Sequence, residues 1–334
     1  MKAYSLETPA PIETSPLKEA DLPVPIPGDE DVLIRVLACG LCHTDLHVVE
    51  GDLALPQLPI VPGHQIVGVV EEVGQGAGAT NVGDTIGVGW FHSACGACAF
   101  CRDGNENLCP KGRFTGYHVN GGYAQFAVAP AESTYPIPHG YSEEHAAPLL
   151  CGGVIGYRAL HLSGIEPGRF LGLYGFGASA HIVIQIAVHW GCRVLVFTRS
   201  PEHRQLATTM GAVWVGQAQD VPPEELDASI IFAPAGELVP LALKRLKRGG
   251  KLVLAGITMS PIPEMPYQLL YGERTVQSVA NATRRDAREL LALAAEIPIK
   301  TEIEVLPLMD LNQALQRLEE GKINGAAVAR IGTA

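Results

Sequence analysis

The hydrophobic positions fall into two regimes. Up to about residue 150 they come in short runs broken by Gly and Pro. Val32-Leu-Ile-Arg-Val-Leu37 and Ile66-Val-Gly-Val-Val70 predict strands, and Asn81-Val-Gly-Asp84 predicts a turn before the strand Thr85-Ile-Gly-Val88. Few stretches here have helical period, so this part predicts a small, mostly β, irregular domain. From about residue 152, apolar runs alternate with helical patterns. Strands are predicted at 169–174, 193–197, 212–215, 229–232 and 251–255, with helices at 178–190, 203–210 and 237–247 between them. Such alternation implies a parallel sheet covered on both faces. The tail carries two more predicted helices, at 284–296 and 310–320.

Composition narrows the class. A chain of 334 residues exceeds one ordinary core, so two domains are expected. A net charge of -11 argues against nucleic acid as a partner, because such binding needs a basic face. No apolar run reaches the ~20 residues of a membrane span. The opening Met1-Lys-Ala-Tyr-Ser-Leu-Glu-Thr8 lacks the apolar stretch of a signal peptide, so a reducing cytoplasm is the expected compartment. In that setting clustered cysteines suggest metal before disulfides.

The sharpest cluster is Cys95-Gly-Ala-Cys98-Ala-Phe-Cys101, followed by Cys109. Two-residue gaps let successive thiolates turn back onto one ion, and four thiolates fill every position of a closed, structural Zn²⁺ site. Three further metal-binding side chains are scattered: Cys42 in Ala38-Cys-Gly-Leu-Cys42-His-Thr-Asp45-Leu-His47, His64 in Val61-Pro-Gly-His64, and Cys151 in Leu149-Leu-Cys151. Their spacing proves nothing. Their chemistry is attractive, because two thiolates and an imidazole leave one zinc position open to a substrate oxygen, and bound zinc lowers the pKa of an alcohol. Asp45 is placed to orient a ligating His, and Thr44 and His47 to pass a proton to solvent.

Gly175-Phe176-Gly177-Ala178-Ser179-Ala180 follows a predicted strand and opens a predicted helix. This is the dinucleotide fingerprint: Gly175 for the tight turn, Gly177 for close approach of the pyrophosphate, Ala180 for helix–sheet packing. The acid that clasps the ribose hydroxyls of NAD is missing at the end of the next strand, where Val196-Phe-Thr198-Arg199-Ser200 stands. Arg199 suits a 2′-phosphate, which favours NADP. A solvated Arg199, with Thr198 holding an unphosphorylated ribose of NAD, is the alternative.

Together these residues resemble the zinc-containing medium-chain alcohol dehydrogenase family, of the bacterial and yeast type, over nearly the whole chain. Gly40-Leu-Cys-His-Thr-Asp-Leu-His47, Val61-Pro-Gly-His64 and Cys151-Gly-Gly-Val-Ile-Gly-Tyr157 are similar to the family's three ligand motifs, in order. The resemblance implies an α/β fold: a GroES-like β domain (1–152, with a zinc lobe at about 92–112), a doubly wound Rossmann domain (153–280), and a return to the first domain (281–334). It implies two zinc ions per chain, with Cys42, His64 and Cys151 holding the catalytic one. It also implies a relay through Thr44 and His47, His43 near the cofactor phosphates, and a homodimer or homotetramer. The activity implied is hydride transfer between NAD(P) and a primary or secondary alcohol, or the corresponding aldehyde or ketone. The family pattern has Glu where Gln65 stands, a phosphate-binding Arg in some relatives near Asn324-Gly-Ala326, and an aromatic in place of Leu53. Trp90 and Tyr117 are candidate pocket residues, with plain packing as the alternative. Two rival readings remain: a zinc-free quinone or enoyl reductase of the same fold, and a non-catalytic zinc protein.

Overall fold

The computed structural model describes residues 1–332, which form two compact units: Met1–Cys151 with the segment from Thr283 onward, and Gly152–Ala282. The first unit is built on a seven-stranded sheet. Along it run Ile303–Pro307, Ala326–Arg330, Asp31–Leu41, Gln65–Val73, Thr85–Val88 and Thr134–Pro136, and Phe126–Pro130 pairs separately with Asp31–Leu41. Two of these strands come from the tail, so residues distant in sequence close one sheet. The long central strand Asp31–Leu41 is apolar almost throughout because both its faces are covered. Its Val32, Ile34 and Val36 join Ile66, Val70, Val88, Tyr123 and Val49 in the core of this unit. The helix Leu311–Glu319 adds Leu311 and Leu315.

The second unit is a six-stranded parallel sheet. Its spatial order is Trp214–Gly216, Arg193–Phe197, Phe170–Tyr174, Leu226–Ile231, Leu246–Leu254, Thr275–Ser278. In chain order that is 3-2-1-4-5-6, the doubly wound order that places its switch point beside the first strand. The predicted strands 169–174 and 193–197 stand as Phe170–Tyr174 and Arg193–Phe197, and the predicted helix 178–190 as Ala180–His189.

One prediction is corrected. The helix expected over 237–247 covers only Leu238–Leu243, and Leu246 already begins the strand Leu246–Leu254. Pro240 sits inside that short helix, and the strand bends at Gly249 (φ +74°), so an amphipathic pattern ran on past the true helix end. The last strand, Thr275–Ser278, carried no apolar run. It lies at the sheet edge and is mostly exposed.

Candidate active site

Cys42 leaves the central strand and caps the helix His43–Glu50. Its sulfur accepts the Thr44 backbone N–H at 3.3 Å, and its own N–H donates to Asp45 Oδ2 at 2.9 Å. His64 follows Gly63, whose φ of +93° and packing against the Tyr123 ring leave no room for a side chain. Cys151 follows the one-turn segment Ala147–Leu150. The three side chains converge. Cys42 Sγ lies 3.4 Å from His64 Nε2, Cys151 Sγ lies 3.3 Å from the same nitrogen, and the sulfurs are 3.8 Å apart. A tetrahedral zinc with bonds of ~2.3 Å to sulfur and ~2.0 Å to nitrogen spaces its ligands by roughly 3.5–3.8 Å. The triangle therefore fits one such ion.

Electrostatics agree. The hydrogen bond from Cys151, with the His64 charge behind it, holds the Cys42 thiol well below its ordinary range against the cost of burial. The Cys151 thiol is pushed well up by the same bond and by burial. One thiol of the pair is thus readily deprotonated and the other holds its proton, and a bound dication would favour loss of both protons. His64 Nδ1 meets Asp45 Oδ1 at 3.0 Å, and both side chains are buried. Burial lowers the His64 pKa, yet the charges of Asp45 and Cys42 raise it well above the ordinary value. Asp45 thus joins two tasks: it closes the helix start and fixes the ring that turns Nε2 toward the sulfurs.

A second chain of polar groups runs outward on the same helix. Thr44 is buried beside Cys42, and His43 is exposed. One turn on, His47 Nδ1 meets Asp52 Oδ2 at 2.7 Å, with the Asp52 side chain 56% exposed. Asp52 escaped the sequence reading. Gly51 ends the helix in the left-handed region (φ +83°), and the Gly51 and Leu53 N–H groups both return to the His47 carbonyl. That turn folds Asp52 back under the ring. The signal for it was Gly51-Asp52 at a helix end, visible only once the helix itself is known.

Trp90 meets His64 edge-on at 5.1 Å and stacks on Phe114 at 5.2 Å, with Tyr117 at 5.8 Å. Tyr117 donates its hydroxyl to the Ala54 carbonyl at 2.6 Å. Trp90 and Tyr117 therefore belong to one aromatic wall beside His64, and Phe114 is a member that sequence reading missed. Leu53 packs partly buried against the core of this unit. Gln65 is buried; its Nε2 has no hydrogen-bond partner among the described residues, and a Cβ on Gly40 would lie 2.6 Å from its Oε1.

The four-cysteine lobe stands apart from this triangle. Cys95–Cys109, Cys98–Cys101 and Cys95–Cys101 sulfurs are 3.5, 3.4 and 3.9 Å apart, again the spacing around one tetrahedral ion. Arg284 secures the lobe: its N–H donates to Glu106 Oε1 at 2.8 Å, its Nε to Ser133 Oγ at 3.1 Å, and its guanidinium lies over the Phe91 ring.

In the second unit, Gly175 takes φ +86°, and a side chain there would press on Ala233. Phe176 and Ala180 are buried. A Cβ at Gly177 would meet nothing within 4 Å, so the fold itself does not demand glycine there. An approaching pyrophosphate does, and the residues fit that group. Ala178 completes the turn into the helix Ala180–His189. Thr198 is buried, with its N–H on the Gly216 carbonyl at 2.8 Å, and Arg199 is exposed.

Comparisons with known proteins extend this geometry. Residues 28–139 match the model of the alcohol dehydrogenase GroES-like domain, and residues 180–296 match that of the zinc-binding dehydrogenases. A probable alcohol dehydrogenase of Mycobacterium tuberculosis is 45% identical over 337 residues, covering 99% of this chain and 97% of that protein. Among solved structures, a cinnamyl alcohol dehydrogenase of Sorghum bicolor superposes with a TM-score of 0.91 at 31% identity, covering 98% of this chain and 97% of that one. The CAD of Helicobacter pylori, solved with NADP(H), gives a TM-score of 0.86 at 28% identity, with 99% of each chain covered.

Proposed function

The chain belongs to the zinc-containing medium-chain alcohol dehydrogenases, and on that footing we propose which of its residues carry the reaction and how. The protein is a zinc-dependent, NAD(P)-linked oxidoreductase of alcohols. Our reading assigns the catalytic zinc to Cys42, His64 and Cys151, and a second, structural zinc to Cys95, Cys98, Cys101 and Cys109. The observation that carries the first assignment is the 3.3–3.8 Å triangle of ligand atoms. Bound there, zinc would supply a Lewis acid that lowers the pKa of the alcohol, whose carbon would pass its hydride to oxidised NAD(P).

The remaining work falls to the chain. Asp45 holds the His64 ring by its Nδ1 and so keeps Nε2 on the metal side. The Thr44 hydroxyl donates and accepts at once, as a proton relay requires. His47 takes the proton onward, and Asp52, bonded to its Nδ1 at 2.7 Å, fixes the ring at the solvent edge. Trp90, Phe114 and Tyr117 give the substrate an apolar wall, which suits primary or secondary alcohols with a bulky or planar substituent. The Gly175–Ala180 turn carries the pyrophosphate and Arg199 receives a 2′-phosphate, so NADP is preferred over NAD.

A homodimer or homotetramer in the cytoplasm belongs to the same reading. Exposed Ile257, Ile262, Tyr267 and Tyr271 support association, and cysteines clustered as metal ligands support a reducing compartment. Among the described residues no helix is long and apolar enough to cross a membrane. A zinc-free reductase has no use for three converging ligands, and a non-catalytic zinc protein has none for the His47–Asp52 pair. The test is turnover of aliphatic, benzylic and cinnamyl alcohols with NADP and NAD, before and after zinc removal. We expect zinc-dependent oxidation with NADP ahead of NAD. Turnover that survives loss of all zinc would overturn the assignment.

A further inference from the structure

Three carbonyls of the loop that reads the cofactor's ribose converge on one residue. Arg204, on the helix Pro201–Thr209, satisfies three consecutive carbonyls of that loop. Its Nε donates to the Thr198 oxygen at 3.1 Å, its Nη2 to the Arg199 oxygen at 2.9 Å, and its backbone N–H to the Ser200 oxygen at 3.1 Å. The Thr198 N–H is taken by the Gly216 carbonyl. The Ser200 hydroxyl accepts the His203 N–H and donates to Glu202, so the acid nearest in sequence is engaged at 2.6 Å. Within Thr198–Ser200 and the Arg204 side chain, three groups make no hydrogen bond among the described residues: the Thr198 hydroxyl, the Arg199 guanidinium and the Nη1 end of Arg204. All three are donors, and two of them are positive.

We propose that Arg204 is a specificity-determining residue for the cofactor, one that sets the Thr198–Ser200 backbone and adds a second positive charge for the adenosine 2′-phosphate. The inference rests on the reading that Arg199 receives that phosphate. Its physical basis is the fork of the guanidinium, whose planar donors can span two carbonyls and still leave one nitrogen for an oxyanion. A lysine has the charge without the span. Arg204 meets the backbone, not the reacting atoms, so its effect should appear in cofactor discrimination.

The experiment measures binding, without turnover, in the zinc-loaded enzyme. Adenosine 2′,5′-bisphosphate and 5′-AMP are titrated calorimetrically into the parent, Arg204→Met and Arg204→Lys. Charge-assisted contacts of this kind predict a parent that favours the bisphosphate by about tenfold or more. Arg204→Met should lose most of that preference, weakening the bisphosphate by about tenfold more than 5′-AMP. Arg204→Lys, the milder change should the Met variant fold poorly, should fall between them. A discrimination ratio unchanged in both variants overturns the role of Arg204, and so does an equal loss for both nucleotides, which would mark plain damage to the loop. A parent that holds the two nucleotides equally overturns the 2′-phosphate reading itself, and this proposal with it.

Discussion

Asp45→Asn separates the two tasks of one buried carboxylate. In the parent its oxygens accept two N–H bonds, from Cys42 at 2.9 Å and from His64 Nδ1 at 3.0 Å. An asparagine of the same shape has a single acceptor oxygen, and its NH₂ meets the other donor head-on. One of the two bonds is lost whichever way the amide turns, and the negative charge behind His64 is lost in both cases. Leaving a buried N–H unsatisfied costs about 1–3 kcal/mol. Removing the outer partner of a metal-bound His typically costs 10–100-fold in metal affinity, or about 1.4–2.8 kcal/mol. The assay is graded chelation of the purified enzyme, with zinc counted by atomic emission and Tm followed in parallel. We expect one zinc to leave at 10–100-fold lower chelator strength than in the parent, with Tm lower by several degrees and the second zinc undisturbed. A variant that keeps both ions as tightly as the parent, at unchanged Tm, would refute the claim that Asp45 fixes His64.

Thr44→Val keeps the side-chain shape beside Cys42 and removes the hydroxyl, so the rate of alcohol oxidation should fall by ~10²-fold while zinc content holds; an unchanged pH–rate profile and rate would mean the proton leaves elsewhere. Cys98→Ala opens the four-cysteine lobe, and because metal-site energy is folding energy, lowered Tm or solubility should precede any change in turnover per folded molecule; equal stability with lost chemistry would show that lobe to be misread. His92 is held neutral by burial and by Arg113 beside it, its pKa lowered to about 4 from 6.5. Between those values the unfolded chain binds a proton that the folded one refuses, so stability is full above pH 6.5 and is lost as pH falls toward 4, by up to about 3 kcal/mol. His92→Gln should flatten that slope in urea unfolding curves, and a slope as steep as the parent's would remove His92 from the account.

What was legible in the sequence depended on how locally each feature is encoded. The four-cysteine lobe lies within fifteen residues of chain, and the Gly175–Ala180 turn is flanked by its own strand and helix. The second unit's central strands are buried on both faces, so they read as unbroken apolar runs. The catalytic triangle is different. Its ligands are 22 and 87 residues apart, and spacing could not bring them together. The helix His43–Glu50 was hidden because it buries Thr44 and Asp45, polar residues that blur the apolar stripe. With the helix hidden, Asp52 was invisible too, since only the helix end turns it under His47. Trp90 reads as any core aromatic until the fold sets it against His64.

The central claim is that Cys42, His64 and Cys151 together hold the zinc on which alcohol oxidation depends. Zinc per chain in Cys42→Ser, measured alongside NADPH binding and turnover, tests it most directly, because a serine hydroxyl stays protonated where a thiolate would bind. Cys42→Ser should hold about one zinc per chain where the parent holds two, bind NADPH with close to the parent's affinity, and oxidise no alcohol. Turnover retained with that zinc gone would contradict the claim.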